Sequence, residues 1–149
     1  MNFRNAFAAG ATALALTTGL AALTTAANAG GSTVSIEQRG YGNGVGGSQT
    51  GRVNRLTVYQ QGNRNAAVST QAGSRNRAVV GQAGSRNSAL TTQRGGGNVV
   101  GVAQFGSRHT AITSQDGRGN AVAVIQAGRG NTATSRQVGA GNVAVIVQD

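Results

Sequence analysis

Cysteine, proline and tryptophan are absent from this sequence, lysine too, and three Phe and two Tyr are its only aromatic residues. The aromatic shortage excludes an ordinary globular core, which relies on large side chains to fill its interior. The lack of proline argues against a linker-like disordered segment and leaves every backbone N–H free for a hydrogen-bond ladder. Without cysteine, the compartment must be read from targeting signals. Acidic residues are limited to Glu37, Asp116 and Asp149, too few and too scattered for paired-carboxylate catalysis or a calcium-binding β-roll. The one histidine, His109, has no partner set for a metal or a catalytic triad, so no enzyme, metal site or cofactor is expected.

What remains is rich in glycine and one-sided in charge. There are 25 Gly, and the thirteen basic residues, all Arg, give a net charge of +10. Such a balance fits an anionic partner such as polysaccharide, lipopolysaccharide or DNA. It serves equally to keep an aggregation-prone chain soluble. At the N-terminus, Arg4 precedes a small, apolar stretch over residues 6–23, and Ala27-Asn28-Ala29 matches a small-x-small cleavage site. The stretch is short, contains several Thr and lacks stop-transfer charges, so it reads as a signal peptide over residues 1–29 and not as an anchor. The mature, exported chain would then be residues 30–149.

That chain is a repeat. Gln recurs every eleventh residue at Gln38, Gln49, Gln60, Gln71, Gln82, Gln93, Gln104, Gln115, Gln126, Gln137 and Gln148. Two residues later comes Gly40, Gly51, Gly62, Gly73, Gly84, Gly95, Gly106, Gly117, Gly128 or Gly139. Five residues after Gln comes Asn43, Asn54, Asn65, Asn76, Asn87, Asn98, Asn120, Asn131 or Asn142, with His109 as the exception. A helical eleven-residue supercoil is excluded by the Gly in every repeat and by the abundance of Val, Thr and Asn. The spacing predicts a seven-residue strand from Asn to Gln and a four-residue turn, x-Gly-x-x, with eleven strands between residues 32 and 148.

Alternation sets the phase. The third and fifth strand positions carry no charge, whereas Glu37, Arg55, Arg77 and Arg136 fall on the other face. Asn, Gln and the small apolar residues therefore point inward. The fifth position also alternates by size, with Ile36, Val58, Val80, Val102, Val124 and Ile146 separated by Gly47, Ser69, Thr91, Thr113 and Ser135. This 22-residue period predicts an all-β, two-sheet β-solenoid with cross-β stacking, each rung being two facing strands. Inward Gln and Asn amides are expected to bond the like amide above and below. No capping segment flanks the repeats, and the last strand, Asn142–Gln148, is the most apolar, so Val143, Val145 and Val147 mark the expected elongation edge. Turns alternate between two edges of such a solenoid. One would carry Arg39, Arg64, Arg86, Arg108 and Arg129, the other Arg52, Arg75, Arg94 and Arg118, as sites for DNA or acidic polysaccharide.

The pattern Gln-x-Gly-x-x-Asn-x-Ala-x-x-x-Gln, seen at residues 60–71 and 82–93, resembles the curlin repeat of curli, the amyloid fibres of bacterial biofilms. The resemblance covers residues 32–148. It implies a structural, non-enzymatic subunit that polymerises with itself into an extracellular fibre for adhesion and biofilm cohesion. It also implies a second curlin subunit, an outer-membrane secretion pore, assembly factors and host matrix proteins as partners. Two features depart from the family pattern: the N-terminal targeting segment before the repeats is nearly absent, and Asn fills slots where curlins often begin a strand with Ser. The alternative reading is a monomeric secreted solenoid that binds anionic polymers through its turn arginines.

Overall fold

Backbone ladders, not bulky packing, build this structure, a computed structural model that describes residues 12–13 and 30–149. The leader read over residues 1–29 lies outside the described residues, apart from the short strand β1 (Thr12–Ala13). Eleven repeat strands follow: β2 (Thr33–Tyr41), β3 (Gly44–Arg52), β4 (Arg55–Asn63), β5 (Ala66–Ser74), β6 (Arg77–Ser85) and β7 (Ser88–Gly96), then β8 (Val99–Ser107), β9 (Thr110–Arg118), β10 (Ala121–Arg129), β11 (Thr132–Ala140) and β12 (Val143–Gln148). Even-numbered strands pair in one parallel sheet, in the order β2-β4-β6-β8-β10-β12 with β1 beside β2, and odd-numbered strands pair in a second, β3 to β11. Register is uniform, each residue pairing with the one 22 positions on, as in Gln60↔Gln82 and Gln71↔Gln93. The chain is a two-sheet β-solenoid, and one rung is 22 residues.

The strands are longer than the sequence predicts, and the turns correspondingly shorter. Ten of the eleven run through nine residues, past Gln and past the repeat Gly. The cause lies in the corner itself. Gly62 pairs with Gly84 while holding φ at +114°, so the chain bends there without leaving the ladder. Only two residues, such as Arg64 and Asn65, interrupt pairing, and even there Arg64 N–H donates to Tyr41 O at 2.8 Å.

The core is a single thin layer between the sheets. Leu56, Val58, Val80, Val100, Val102, Val122 and Val124 from the even sheet are buried against Val45, Ala67, Ala89, Ala111 and Ala133 from the odd one. Large meets small across this layer. A Cβ on Gly47 would lie 2.9 Å from Leu56 Cδ2, so the leucine occupies space that only glycine leaves open. With so little apolar volume, buried amides supply much of the cohesion.

Candidate functional site

The site of interest in a repeat protein is its stacking surface, and three columns of residues at the corners build it. The first is glutamine. In the even sheet Nε2 of each Gln, from Gln38 to Gln126, donates to Oε1 of the Gln one rung on at 2.7–2.9 Å. In the odd sheet the chain of bonds runs from Gln49 to Gln137 at 2.7–3.0 Å. From Gln49 onward each Nε2 spends a hydrogen across the core, as when Gln82 donates to Ala66 O at 2.9 Å. These amides tie rungs together and the two sheets together at once. All bonds in a ladder point the same way, which gives the stack polarity.

The second column is asparagine, and its bonding differs from the like-amide stacking expected. Asn54 Nδ2 donates to Thr50 O and Gly73 O, both at 3.0 Å, while its Oδ1 accepts the backbone N–H of Asn76 at 3.1 Å. The shorter side chain reaches the corner backbone of its own and the next rung before it reaches another amide. Bonds between Asn side chains appear at Asn98–Asn120 and Asn120–Asn142, at 3.2 and 3.1 Å. Ser32 substitutes at the first corner, its hydroxyl accepting from Asn54 N–H. His109 substitutes in the middle. It is fully buried, Nε2 lies 3.2 Å from Phe105 O and Nδ1 takes the N–H of Asn131 at 3.2 Å. Among the described residues no side-chain donor reaches Gly128 O, which an Asn at this corner would serve, as Asn98 serves Gly117 O.

The third column is the repeat glycine. All ten adopt φ between +84° and +129°. A Cβ on Gly84 would stand 1.9 Å from Gly106 O, and Gly40, Gly51, Gly62, Gly73, Gly95, Gly106 and Gly117 are equally confined. Gly128 and Gly139 alone have room, because among the described residues no rung lies over them.

At the C-terminal end, β11 and β12 each have one neighbour, and Gln137 and Gln148 have no Gln ahead of them. The side chains of Val143, Val145 and Val147 stand on the outer face, 63–74% exposed. The free edge is therefore presented by the backbone of β12 and by the amides, with the valine stripe beside it. The outer face of the odd sheet carries an apolar ridge. Val68, Leu90 and Ile112 stack at 22-residue spacing and are all exposed, a ridge that reading those outer positions column by column would have revealed.

The turn arginines lie on two edges. Arg39 pairs with Glu37 at 2.7 Å. Arg64, Arg86 and Arg108 form one column, exposed and at φ of 57–61°; Arg129 follows one residue earlier in its corner. On the opposite edge Arg52, Arg75 and Arg118 flank a groove floored by Gly73, Gly95 and Gly96, and Arg94 sits opposite Asp116 in the ladder. Among the described residues no three His, Cys, Asp or Glu side chains gather as a metal site, and no helix is long and apolar enough to cross a membrane.

No curated protein matches the chain. The curlin-associated repeat, however, matches residues 54–84 and 84–117, the central rungs, where the glutamine and glycine columns are unbroken and the asparagine column is interrupted by His109 alone. Sequence period, solenoid geometry and repeat match agree: the chain is a protein of curlin-associated repeats.

Proposed function

We propose that the protein is exported behind a leader cleaved after Ala29 and polymerises outside the cell as a curli-like amyloid fibre subunit. The fibre would serve adhesion and biofilm cohesion, with a second curlin as the partner that seeds it. The observation that carries this reading is the repetition of interior bonding at the ends. Among the described residues, Gln137 and Gln148 offer Nε2 donors to a further rung, and Gln38 and Gln49 carry Oε1 acceptors at the opposite end with no Gln bonded to them there. Parallel strand edges with matching donors and acceptors are templates for another copy.

Gly139→Ala tests it. Within one copy the added Cβ meets nothing closer than Asn142 Nδ2 at 3.7 Å, leaving only the backbone strain of an L residue at φ +106°. With another copy stacked above, the methyl would face a carbonyl about as close as the 1.8 Å found for Gly117. The variant is expected to keep its β-sheet circular dichroism while thioflavin-positive elongation stops, and to poison wild-type fibres at low ratios. Elongation at the wild-type rate would overturn stacking as the mode of assembly.

A further inference from the structure

The column Arg64–Arg86–Arg108 stands in two unfavourable circumstances at once. Each arginine holds φ between 57° and 61°, the left-handed region that L residues avoid and glycine enters freely. Gly42 and Gly130 fill the same slot in the flanking rungs, and Gly97, Gly119 and Gly141 fill it on the opposite edge. Val53 and Arg75 hold the same strained slot on the opposite edge, at φ 58° each, but only on this edge do three successive rungs carry arginine in it. The three guanidinium groups also repeat at the rung spacing of about 4.8 Å, well inside a Debye length of about 10 Å, so they repel one another. Among the described residues no carboxylate pairs with any of them, Glu37 being taken by Arg39. On this edge strain and like charge coincide at three successive rungs, and among the described residues no carboxylate offsets the charge, which marks a site for an external anion.

What lies beside the column narrows the ligand. Tyr41, Asn63 and Ser85 line a groove with Arg64 and Arg86, and Ser107 continues the row in register with Ser85. The corners are rigid, since Arg86 N–H donates to Asn63 O at 2.9 Å and Arg108 N–H to Ser85 O at 3.0 Å. The groove is therefore straight and parallel to the stacking axis, with amide and hydroxyl groups on one side, a cation at every rung and an exposed tyrosine at its N-terminal end. Single-stranded nucleic acid would need an aromatic platform for successive bases, and this edge has no such series. A DNA duplex winds its phosphates away from a straight line.

We propose that this groove binds an acidic polysaccharide laid along the solenoid axis. Successive sugar carboxylates are clamped by Arg64, Arg86 and Arg108, sugar hydroxyls bond to Asn63 and Ser85, and one ring stacks on Tyr41. Guanidinium suits the task, because its planar fork meets a carboxylate with two parallel hydrogen bonds. The column lies within one copy, so the site exists whether or not copies stack.

The test uses the mature chain, before and after assembly, with polygalacturonate as probe and neutral dextran and single- and double-stranded DNA oligomers as comparators. In the triple variant Arg64→Gly, Arg86→Gly, Arg108→Gly, glycine tolerates the backbone conformation, so the fold is expected to persist, and circular dichroism checks that it does. Arg55→Ser, Arg77→Ser, Arg136→Ser removes the same charge from the sheet faces. Polygalacturonate should bind the wild type, and the edge variant should weaken binding at least tenfold. The face variant should change it less than threefold, and dextran should not bind. Equal weakening by both triples would reduce the column to diffuse charge. Tighter, column-dependent binding of either DNA would make the groove a nucleic-acid site instead. Each result overturns the proposal without touching the fibre reading, which thioflavin and Gly139→Ala judge separately.

Discussion

Replacing Gln82 by Ala should be far more damaging than any outward change on a neighbouring strand, and its cost can be worked from the bonds it breaks. Gln82 is buried, accepts from Gln60 Nε2 at 2.7 Å, and donates to Gln104 Oε1 at 2.8 Å and Ala66 O at 2.9 Å. Gln60 Nε2 keeps a second partner, Gly44 O at 3.1 Å. Gln104 Oε1 keeps no side-chain donor and sits fully buried. A net loss of about 1 kcal/mol for each of the three bonds, plus about 1–3 kcal/mol for the stranded carbonyl, gives roughly 4–6 kcal/mol. At about 1.4 kcal/mol per decade this is on the order of a thousandfold to ten-thousandfold in an equilibrium constant. Outward Thr57, whose side chain makes no hydrogen bond, should on mutation to Ala cost no more than about 0.5–1 kcal/mol of strand preference, at most about fivefold. The assay is the concentration of soluble chain in equilibrium with fibres, in a fixed guanidinium concentration that keeps all three proteins measurable. If Gln82→Ala and Thr57→Ala fall within threefold of one another, the ladder is not what holds the rungs.

Three further outcomes are expected. His109→Asn should raise the guanidinium midpoint by about 1 kcal/mol in equivalent stability, since the new Nδ2 can serve Gly128 O as its counterparts serve the other corners; an unchanged or lowered midpoint would mean the imidazole is the better fit. Thr113→Val should also stabilise, by about 1 kcal/mol, because Thr113 Oγ1 is buried without a partner whereas Thr91 Oγ1 reaches Ser69 Oγ at 2.8 Å; destabilisation in thermal unfolding would point to a bond not evident in the fold. Deleting residues 142–149 should abolish or greatly delay thioflavin-positive growth while deleting 32–42 is tolerated, given Val143, Val145 and Val147 at one end and Gly44, Gly46 and Gly47 at the other; the reverse order in lag times would refute this polarity.

Much of this architecture is legible in the sequence alone, because the chain writes the same unit ten times over. The eleven-residue recurrence of Gln defines the half-rung, and the exclusion of charge from the third and fifth positions defines the inward face. The alternation of Val58 with Ser69 and Val80 with Thr91 defines the pairing at 22 residues. The corners are less legible. Nothing in the letters shows that Gly62 can bend the chain and still pair with Gly84, so the expected strands are too short. Nor does composition reveal that Asn54, one methylene shorter than Gln60, bonds to backbone and not to its own kind. The left-handed slot held by Arg64, Arg86 and Arg108 is hidden for the same reason: arginine in a turn looks ordinary until its φ is known.

The uniform register has a mechanical meaning. Every backbone hydrogen bond between rungs lies along the axis, so tension on a filament pulls each one lengthwise and shares the load across all pairs of a rung together. Rungs, by contrast, are loaded in series and carry the same force. A filament then parts where the shared load falls on the fewest pairs. From β2 to β11 every such ladder pairs nine residues, as Val99 to Ser107 with Ala121 to Arg129 between β8 and β10. In any stack of such rungs, strength under stretch is set by the weakest junction and not by the average one, so a residue that breaks a single pair in the β8–β10 ladder would weaken the whole stack.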